Sequence, residues 1–194
     1  MDLHKIKSFF KARNTLMEML VDRGNEIPEK YEISFEEFMI QYENNEVDIP
    51  MVEIKTYVYF HIAEKNLAKK DFVNLIENIK KDFEDEMHII IITPNKLNQS
   101  LNKEMKKMNN CESFLLKTLQ FNITKHVLIP EMRILAKEEY DGVVEKFRTP
   151  INKLPKFLIT DPIVQYYGAK SGDLFEIKRI STGSGINVSY RYVK

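Results

Sequence analysis

The chain has 194 residues, 43% of them hydrophobic and 30% charged, with 29 basic and 29 acidic side chains and a formal net charge of zero. That size suits one or two domains with real cores, and neutrality argues against a protein that grips nucleic acid unaided, because phosphate neutralisation needs a basic excess. A single cysteine, Cys111, excludes an internal disulfide and fits a reducing compartment; no apolar run approaches the roughly 20 residues of a membrane span, and no signal peptide is read at the start.

Ile6, Phe9, Phe10, Leu16, Met17, Leu20 and Val21 recur at helical spacing, and Gly24 stops that helix. Ser34 and Glu37 have the spacing of a capping box and start a short helix carrying Phe35, Phe38 and Met39. Residues 44–50 read as turns. A strand is expected next. Val52, Ile54, Thr56, Val58, Phe60 and Ile62 take a covered face, and Glu53, Lys55, Tyr57, Tyr59 and His61 a wetter one. Phe72, Leu75, Ile76, Ile79 and Phe83 form the stripe of a further helix. Residues 89–92 are continuously apolar, as a central strand buried on both faces is, and Thr93-Pro94-Asn95 breaks it. Residues 97–108 are expected to be helical and 115–121 extended. The order helix–helix–strand–helix–strand–helix–strand predicts an α/β unit.

Residues 122–130 read as a hinge, and 136–147 as a helix ended by Thr149-Pro150. The last forty residues carry the densest punctuation. Residues 157–160 are expected as a strand. Asp161 as N-cap, Pro162 at the first helical position and Gly168 after the last turn bracket a helix over 162–167. Residues 174–180 and 186–193 form a hairpin joined by the Gly-rich loop 181–185. Ile186, Val188, Tyr190 and Tyr192 share one face, and Asn187, Ser189 and Arg191 the other. The loop lacks the following helix and the Lys-Ser/Thr pair of a phosphate cradle, so it reads as a plain turn.

Little in the chain points to chemistry. His4, His61, His88 and His126 show no ligand spacing, and neither Cys-x-x-Cys nor His-Glu-x-x-His occurs. No metal site and no cofactor are expected, and there is no Gly-x-Ser-x-Gly elbow. The sharpest enzymatic candidate is Glu53-Ile54-Lys55, since many nucleases place a metal-holding carboxylate and a water-steadying lysine in this order on a strand. That chemistry needs a second carboxylate, and Asp48 sits only five residues upstream in an apparent loop. The solvated face of a strand is therefore the preferred reading, and a metal-dependent nuclease using Glu53 and Lys55 the alternative. Lys96, Lys103, Lys106 and Lys107 gather beside Thr93-Pro94-Asn95, where they form a solvated face or touch a DNA backbone. Tyr166-Tyr167 could stack on bases, but at the end of a capped helix one ring is expected in the core.

Several motifs occur together. They are Leu154-Pro155, Asp161-Pro162, Tyr167-Gly168, Gly172 and Tyr190-Arg191, after a hinge with His126, Pro130 and Glu131. Upstream stand Arg13 to Met19, Asp22-Arg23-Gly24, Ser34 to Phe38, Phe60 to Asn66 and Ile92-Thr93-Pro94. In this order and spacing they resemble the small shared subunit of multisubunit DNA-directed RNA polymerases, called H in archaea and fifth-largest in the eukaryotic nuclear enzymes. The resemblance implies a nuclease-like α/β jaw domain over 1–124, without an active site and near downstream DNA. It also implies a small α+β assembly domain with a mixed sheet over 125–194, docking on the largest subunit. Thr93-Pro94 matches the family loop that faces DNA, which makes Thr93, Pro94, Asn95 and Lys96 the expected DNA-proximal residues. His126, Pro130, Asp161, Pro162, Tyr166, Gly168 and Arg191 match the assembly-domain signature, several of them shaping the fold.

The implied protein is a noncatalytic structural subunit without a cofactor. Its partners are the largest subunit, the rest of the polymerase core and, weakly, duplex DNA, with no membrane; a free-standing transcription regulator is the remaining rival. Met132 stands where a second histidine is usual, Lys170-Ser171-Gly172 where Lys-Arg-Gly is usual, and the hairpin loop is rewritten. The short segment 44–51 resembles the two-domain form encoded by large DNA viruses. The expected location is host cytoplasm and virion for a virus, and the nucleus for a cellular eukaryote.

Overall fold

The computed structural model describes residues 2–63, 65–83, 87–108, 110–181 and 185–194. The chain divides into two units, Met1–Phe121 and Asn122–Lys194.

In the first unit, α1 (Leu3–Asp22) starts where the Asp2 carboxylate accepts the His4 and Lys5 N–H groups, and ends before Gly24, whose φ of +89° suits a residue without a Cβ. The capping box at α2 (Phe35–Glu43) forms as its spacing predicts: Ser34 Oγ accepts from Glu37 N, and Glu37 Oε2 accepts from Ser34 N at 2.8 Å. Then follow β1 (Ile49–Met51), β2 (Thr56–Phe60), α3 (Lys69–Asp82), β3 (His88–Thr93), α4 (Gln99–Lys106) and β4 (Cys111–Leu115). The sheet order is β1-β2-β3-β4; β1 is antiparallel to β2, and the other pairings are parallel through the helical crossovers.

β3 is an interior strand covered on both faces, as its unbroken apolar run requires. Ile89 and Ile91 join Phe72, Ile76 and Ile79 of α3 and Leu101 and Met105 of α4. Phe60 lies beside Ile92 in register, and its ring meets Phe9 of α1 at 6.3 Å. Within β2 the alternation holds, with Thr56, Val58 and Phe60 buried, but Val52, read as covered, is exposed and His61, read as wetter, is buried, because both lie outside the strand. Its wetter face is nonetheless covered, because Tyr57 and Tyr59 pack on the α3–α4 cluster.

Three expectations for this unit are corrected. Residues 44–50 are not all turn: Pro50 sits in the edge strand β1, where a missing N–H is tolerated. The strand expected from Val52 starts only at Thr56, because Val52–Ile54 is a 3-10 turn and Lys55 has φ +48°. The extended segment expected over 115–121 lies earlier, at Cys111–Leu115; Leu116–Leu119 is a 3-10 turn against α1, its two leucines one turn apart.

The second unit contains β5 (Glu131–Ile134), α5 (Tyr140–Phe147), β6 (Lys156–Phe157), α6 (Pro162–Tyr166), β7 (Leu174–Ser181) and β8 (Gly185–Val193). Its sheet order is β5-β7-β8-β6, with β6 parallel to β8 and the rest antiparallel, a mixed sheet as expected. α6 is bracketed as its residues predict. Asp161 Oδ1 accepts from Ile163 N at 2.9 Å, Pro162 opens the helix, and Gly168 follows at φ +64°. Phe157, Ile163, Val164, Phe175, Ile177 and Val193 form the core on one sheet face, and Leu135, Val143, Leu154 and Leu174 on the other.

Two strands here depart from expectation. β5 has no turn residue at its C-terminal end to set it off in the sequence. The strand expected over 157–160 shrinks to Lys156–Phe157, because residues 159–160 already belong to the turn that leads into the Asp161 cap. The hairpin forms as read, but residues 182–184 of the Gly-rich loop lie outside the described residues.

Candidate nucleic-acid and assembly surfaces

The loop after β3 is built by the end of a buried strand. Thr93 is buried, and its Oγ1 donates to Asn95 O at 2.8 Å, folding the backbone over before Pro94. Asn95 and Lys96 are exposed. Thr93, Lys96, Leu97, Asn102, Ser113 and Phe114 line a shallow cleft of about 200 Å³ at the C-terminal ends of β3 and β4, the usual place for ligands in an open parallel sheet. The four lysines do not form one basic patch. Lys107 and Lys69 both bind Glu104, at 3.2 and 2.9 Å. Lys96 and Lys103 remain exposed, and the Lys106 side chain is not among those described. Residues 1–121 carry 17 Lys/Arg against 21 Asp/Glu, a net −4, whereas residues 122–194 carry 12 against 8, a net +4. Any phosphate contact at Lys96 is therefore local.

The Glu53–Lys55 pair is not on a strand, which corrects the premise of the nuclease alternative. Glu53 lies in the 3-10 turn and accepts from Lys30 Nζ and from Tyr31 Oη, the latter at 2.9 Å. The Lys30 hydrogen bond is the main cause that holds its carboxyl down at about 2. Tyr31 is braced in turn by Arg13, a buried guanidinium that donates to the Tyr31 carbonyl at 2.6 Å. Asp48 is occupied too: its Oδ1 accepts from Phe60 N at 2.9 Å and its Oδ2 from Tyr57 Oη at 3.3 Å, fastening the β1 approach to β2. Among the described residues no group of three or more His, Cys, Asp or Glu could hold a metal ion. Cys111 is half-buried, and burial pushes its thiol up to about 12, far from a thiolate nucleophile.

Asp48 gives a pH prediction. Burial raises its carboxyl from 3.8 to about 6. A raised acid gives stability that is complete below the unfolded value of 3.8 and is lost as pH climbs through about 6. Asp48→Asn keeps an acceptor for Phe60 N–H and removes the charge. It should stabilise the first unit at pH 7–8 by roughly 1–3 kcal/mol, at about 1.4 kcal/mol per pKa unit. It should also flatten the stability curve between about pH 4 and 7, as denaturant titrations at several pH values will read.

In the second unit the signature residues divide by exposure. Asp161, Pro162 and Gly168 build the ends of α6, and Tyr166 is buried, as one ring of the pair was expected to be; its neighbour Tyr167 meets Phe175 at 5.7 Å. Pro130 is half-buried ahead of β5. His126 is exposed and closes a turn, its Nδ1 accepting from Leu128 N at 3.2 Å. The Arg191 guanidinium lies 5.1 Å above the Phe157 ring. Sequence reasoning missed the apolar surface around these residues. Val127 is 96% exposed, Ile180 91% and Ile186 71%, and Leu128, Leu158 and Ile159 are exposed as well. The alternation of β8 places Ile186 on an apolar face, but only the structure shows that nothing described covers it.

Residues 121–193 match the family model for the C-terminal domain of RNA polymerase Rpb5. Subunit Rpo5 of the DNA-directed RNA polymerase of Pyrococcus abyssi is 49% identical over 74 residues, 38% of this chain and 90% of that protein. The chain belongs to the Rpb5 family. The Rpb5 resemblance is not confined to the second unit. Subunit 5B of the DNA-directed RNA polymerases IV and V of Arabidopsis thaliana is 27% identical over 195 residues, covering 95% of this chain and 89% of that protein. A subunit 5-like protein of the same plant is 28% identical over 207 residues, covering 97% and 96%. No helix among the described residues is long and apolar enough to cross a membrane.

Proposed function

We propose that the chain is a noncatalytic subunit of a DNA-directed RNA polymerase. Residues 122–194 anchor it to the largest subunit, and the first unit is carried as a jaw beside downstream duplex DNA. The observation that carries this reading is the apolar surface of the second unit. Large aliphatic side chains stand in water at 127–128, at 158–159 and at the outer end of the hairpin, where burial against a partner would be favourable. They lie in the part of the chain that matches the Rpb5 model. Relatives named as polymerase subunits support the assembly, and the plant ones support a two-unit form.

On this reading DNA affinity comes from placement. Tethering raises the local concentration of duplex beside Thr93, Pro94, Asn95 and Lys96, so a few local contacts suffice in a unit of net charge −4. The subunit is found wherever its polymerase is, in the nucleus of a cellular eukaryote or in the cytoplasm and virion of a large DNA virus.

Co-purification tests it. The full chain should be retained stoichiometrically by the polymerase, and a chain lacking 122–194 should be lost from it; retention of the truncated chain overturns the anchor. The isolated chain should bind duplex DNA only weakly at physiological salt, and Lys96→Glu should weaken what binding remains. Magnesium-dependent cutting that disappears in Glu53→Ala would instead favour the nuclease alternative.

A further inference from the structure

β8 has nine residues, but its neighbour on the side away from β7 is the two-residue β6. The backbone identifies the groups left open. Tyr192 N–H donates to Pro155 O on the β6 side, whereas Val193 N–H donates to Asp173 O. Leu174, opposite Tyr192, also faces away from β8: its N–H donates to Tyr140 Oη, and its carbonyl accepts from Leu135 N–H. Alternation along an antiparallel ladder then turns the N–H and C=O groups of Ile186, Val188 and Tyr190 outward. No strand among the described residues faces them.

Natural edges are blunted by charge, proline, a bulge or a covering loop. The run Ile186-Asn187-Val188-Ser189-Tyr190 contains neither charge nor proline, and it pairs with β7 residue for residue, without a bulge. Its two faces differ. Ile186, Val188 and Tyr190 lie on one, with Ile180 directly opposite Ile186. The strand charges on that face are compensated: Lys178 binds Glu131 at 3.0 Å, and Arg133 binds Glu176 at 2.9 Å; Lys146 of α5 also lies there, its Nζ 5.8 Å from the Tyr190 ring. Asn187, Ser189 and Arg191 lie on the other, with Arg179 opposite Asn187. Among the described residues no carboxylate pairs with Arg179 or Arg191.

We propose that the outer edge of β8, over residues 186–190, accepts by strand addition an extended segment of another protein in which apolar and acidic residues alternate. Its main chain completes the open ladder, its apolar side chains continue the face of Ile186, Val188 and Tyr190, and its carboxylates meet Arg179 and Arg191. The edge lies in the unit read above as the anchor, but its pairing does not depend on that reading.

The probe is a fluorescent, acetylated seven-residue peptide alternating glutamate and valine, titrated against the full chain. Binding should slow amide exchange at Val188 and Tyr190 at least tenfold. Val188→Pro removes one outward N–H, a change an edge strand tolerates, and should weaken binding at least tenfold with an unchanged melting temperature. Arg179→Glu should weaken it at least threefold, and a lysine–valine peptide should not bind. If Val188→Pro perturbs the fold, a peptide N-methylated along its pairing edge replaces it and should fail to bind. Equal binding of the lysine peptide, undiminished binding after Val188→Pro or N-methylation, or unchanged amide exchange overturns the proposal. So does single-stranded DNA that binds through Arg179 and Arg191 regardless of Val188→Pro, which would assign the face to nucleic acid. Loss of co-purification on truncation is read separately, so failure of the anchor and failure of the edge are distinguishable.

Discussion

Phe175→Ala should strongly destabilise the second unit and lower the retention of the chain by the polymerase. The Phe175 ring is fully buried at the centre of its core, 5.4 Å from Phe157 and 5.7 Å from Tyr167. Truncating a buried phenylalanine costs about 3–5 kcal/mol, from lost transfer energy and the cavity left behind. A unit of the length of residues 122–194 has about 4–11 kcal/mol of stability at ordinary values per residue. The variant should therefore lose from about a quarter of its margin to all of it. Amide exchange should show β7 and β8 opening while β3 keeps its protection, and co-purification with the polymerase should fall with them. Phe175→Leu should retain much of both. A Phe175→Ala chain that keeps its β7 protection would show that the core closes around the cavity.

The second large effect is expected at Arg23. Its backbone N–H caps the end of α1, and its side chain reaches Glu112 on β4, with NH2–Oε2 at 2.8 Å and NH1–Oε1 at 3.2 Å. His88 Nε2 stands 3.0 Å from the same carboxylate. Partial burial opposes ionisation of Glu112, but the His88 and Arg23 hydrogen bonds outweigh it and hold the carboxyl at about 2. Arg23→Ala strips away the bidentate partner and leaves a half-buried charge. The side chain of Glu112 keeps 26% exposure, so the loss should be about 2–4 kcal/mol, below that of a fully buried pair. Arg23→Lys, with the charge but without the fork, should fall between. The pH dependence is fixed by sign: a depressed carboxyl contributes stability that is present above its unfolded value of 4.5 and is lost as pH falls toward 2. Acid titration of the Arg23→Ala chain should show a shallower loss over that window than the unsubstituted chain.

The two cases show what the sequence could tell. Ser34-x-x-Glu37 and Asp161-Pro162 to Gly168 were legible because caps act within a few residues, and the apolar run at 89–92 because burial on both faces leaves no polar position. β5 and β1 were not, since four and three residues give too little alternation, and the partner of β5 lies far along the chain, at Phe175–Lys178. The Glu53-Ile54-Lys55 motif misled because three residues of a strand pattern are equally compatible with a turn. A left-handed Lys55 is set by the β1–β2 connection and not by its own side chain. The Arg23–Glu112 pair joins positions 89 apart, and no local rule links them. Exposure was the hardest to read: Ile186 looks like a core residue in an alternating strand until the sheet is seen to end before covering it.

The opposite charges of the two units have one further consequence. A freely diffusing molecule with an acidic head and a basic tail experiences a torque near a polyanion. The field of the duplex would draw residues 122–194 and repel residues 1–121. If the first unit does face DNA, its orientation is imposed mechanically against the electric field, and raising the ionic strength should relax that opposition.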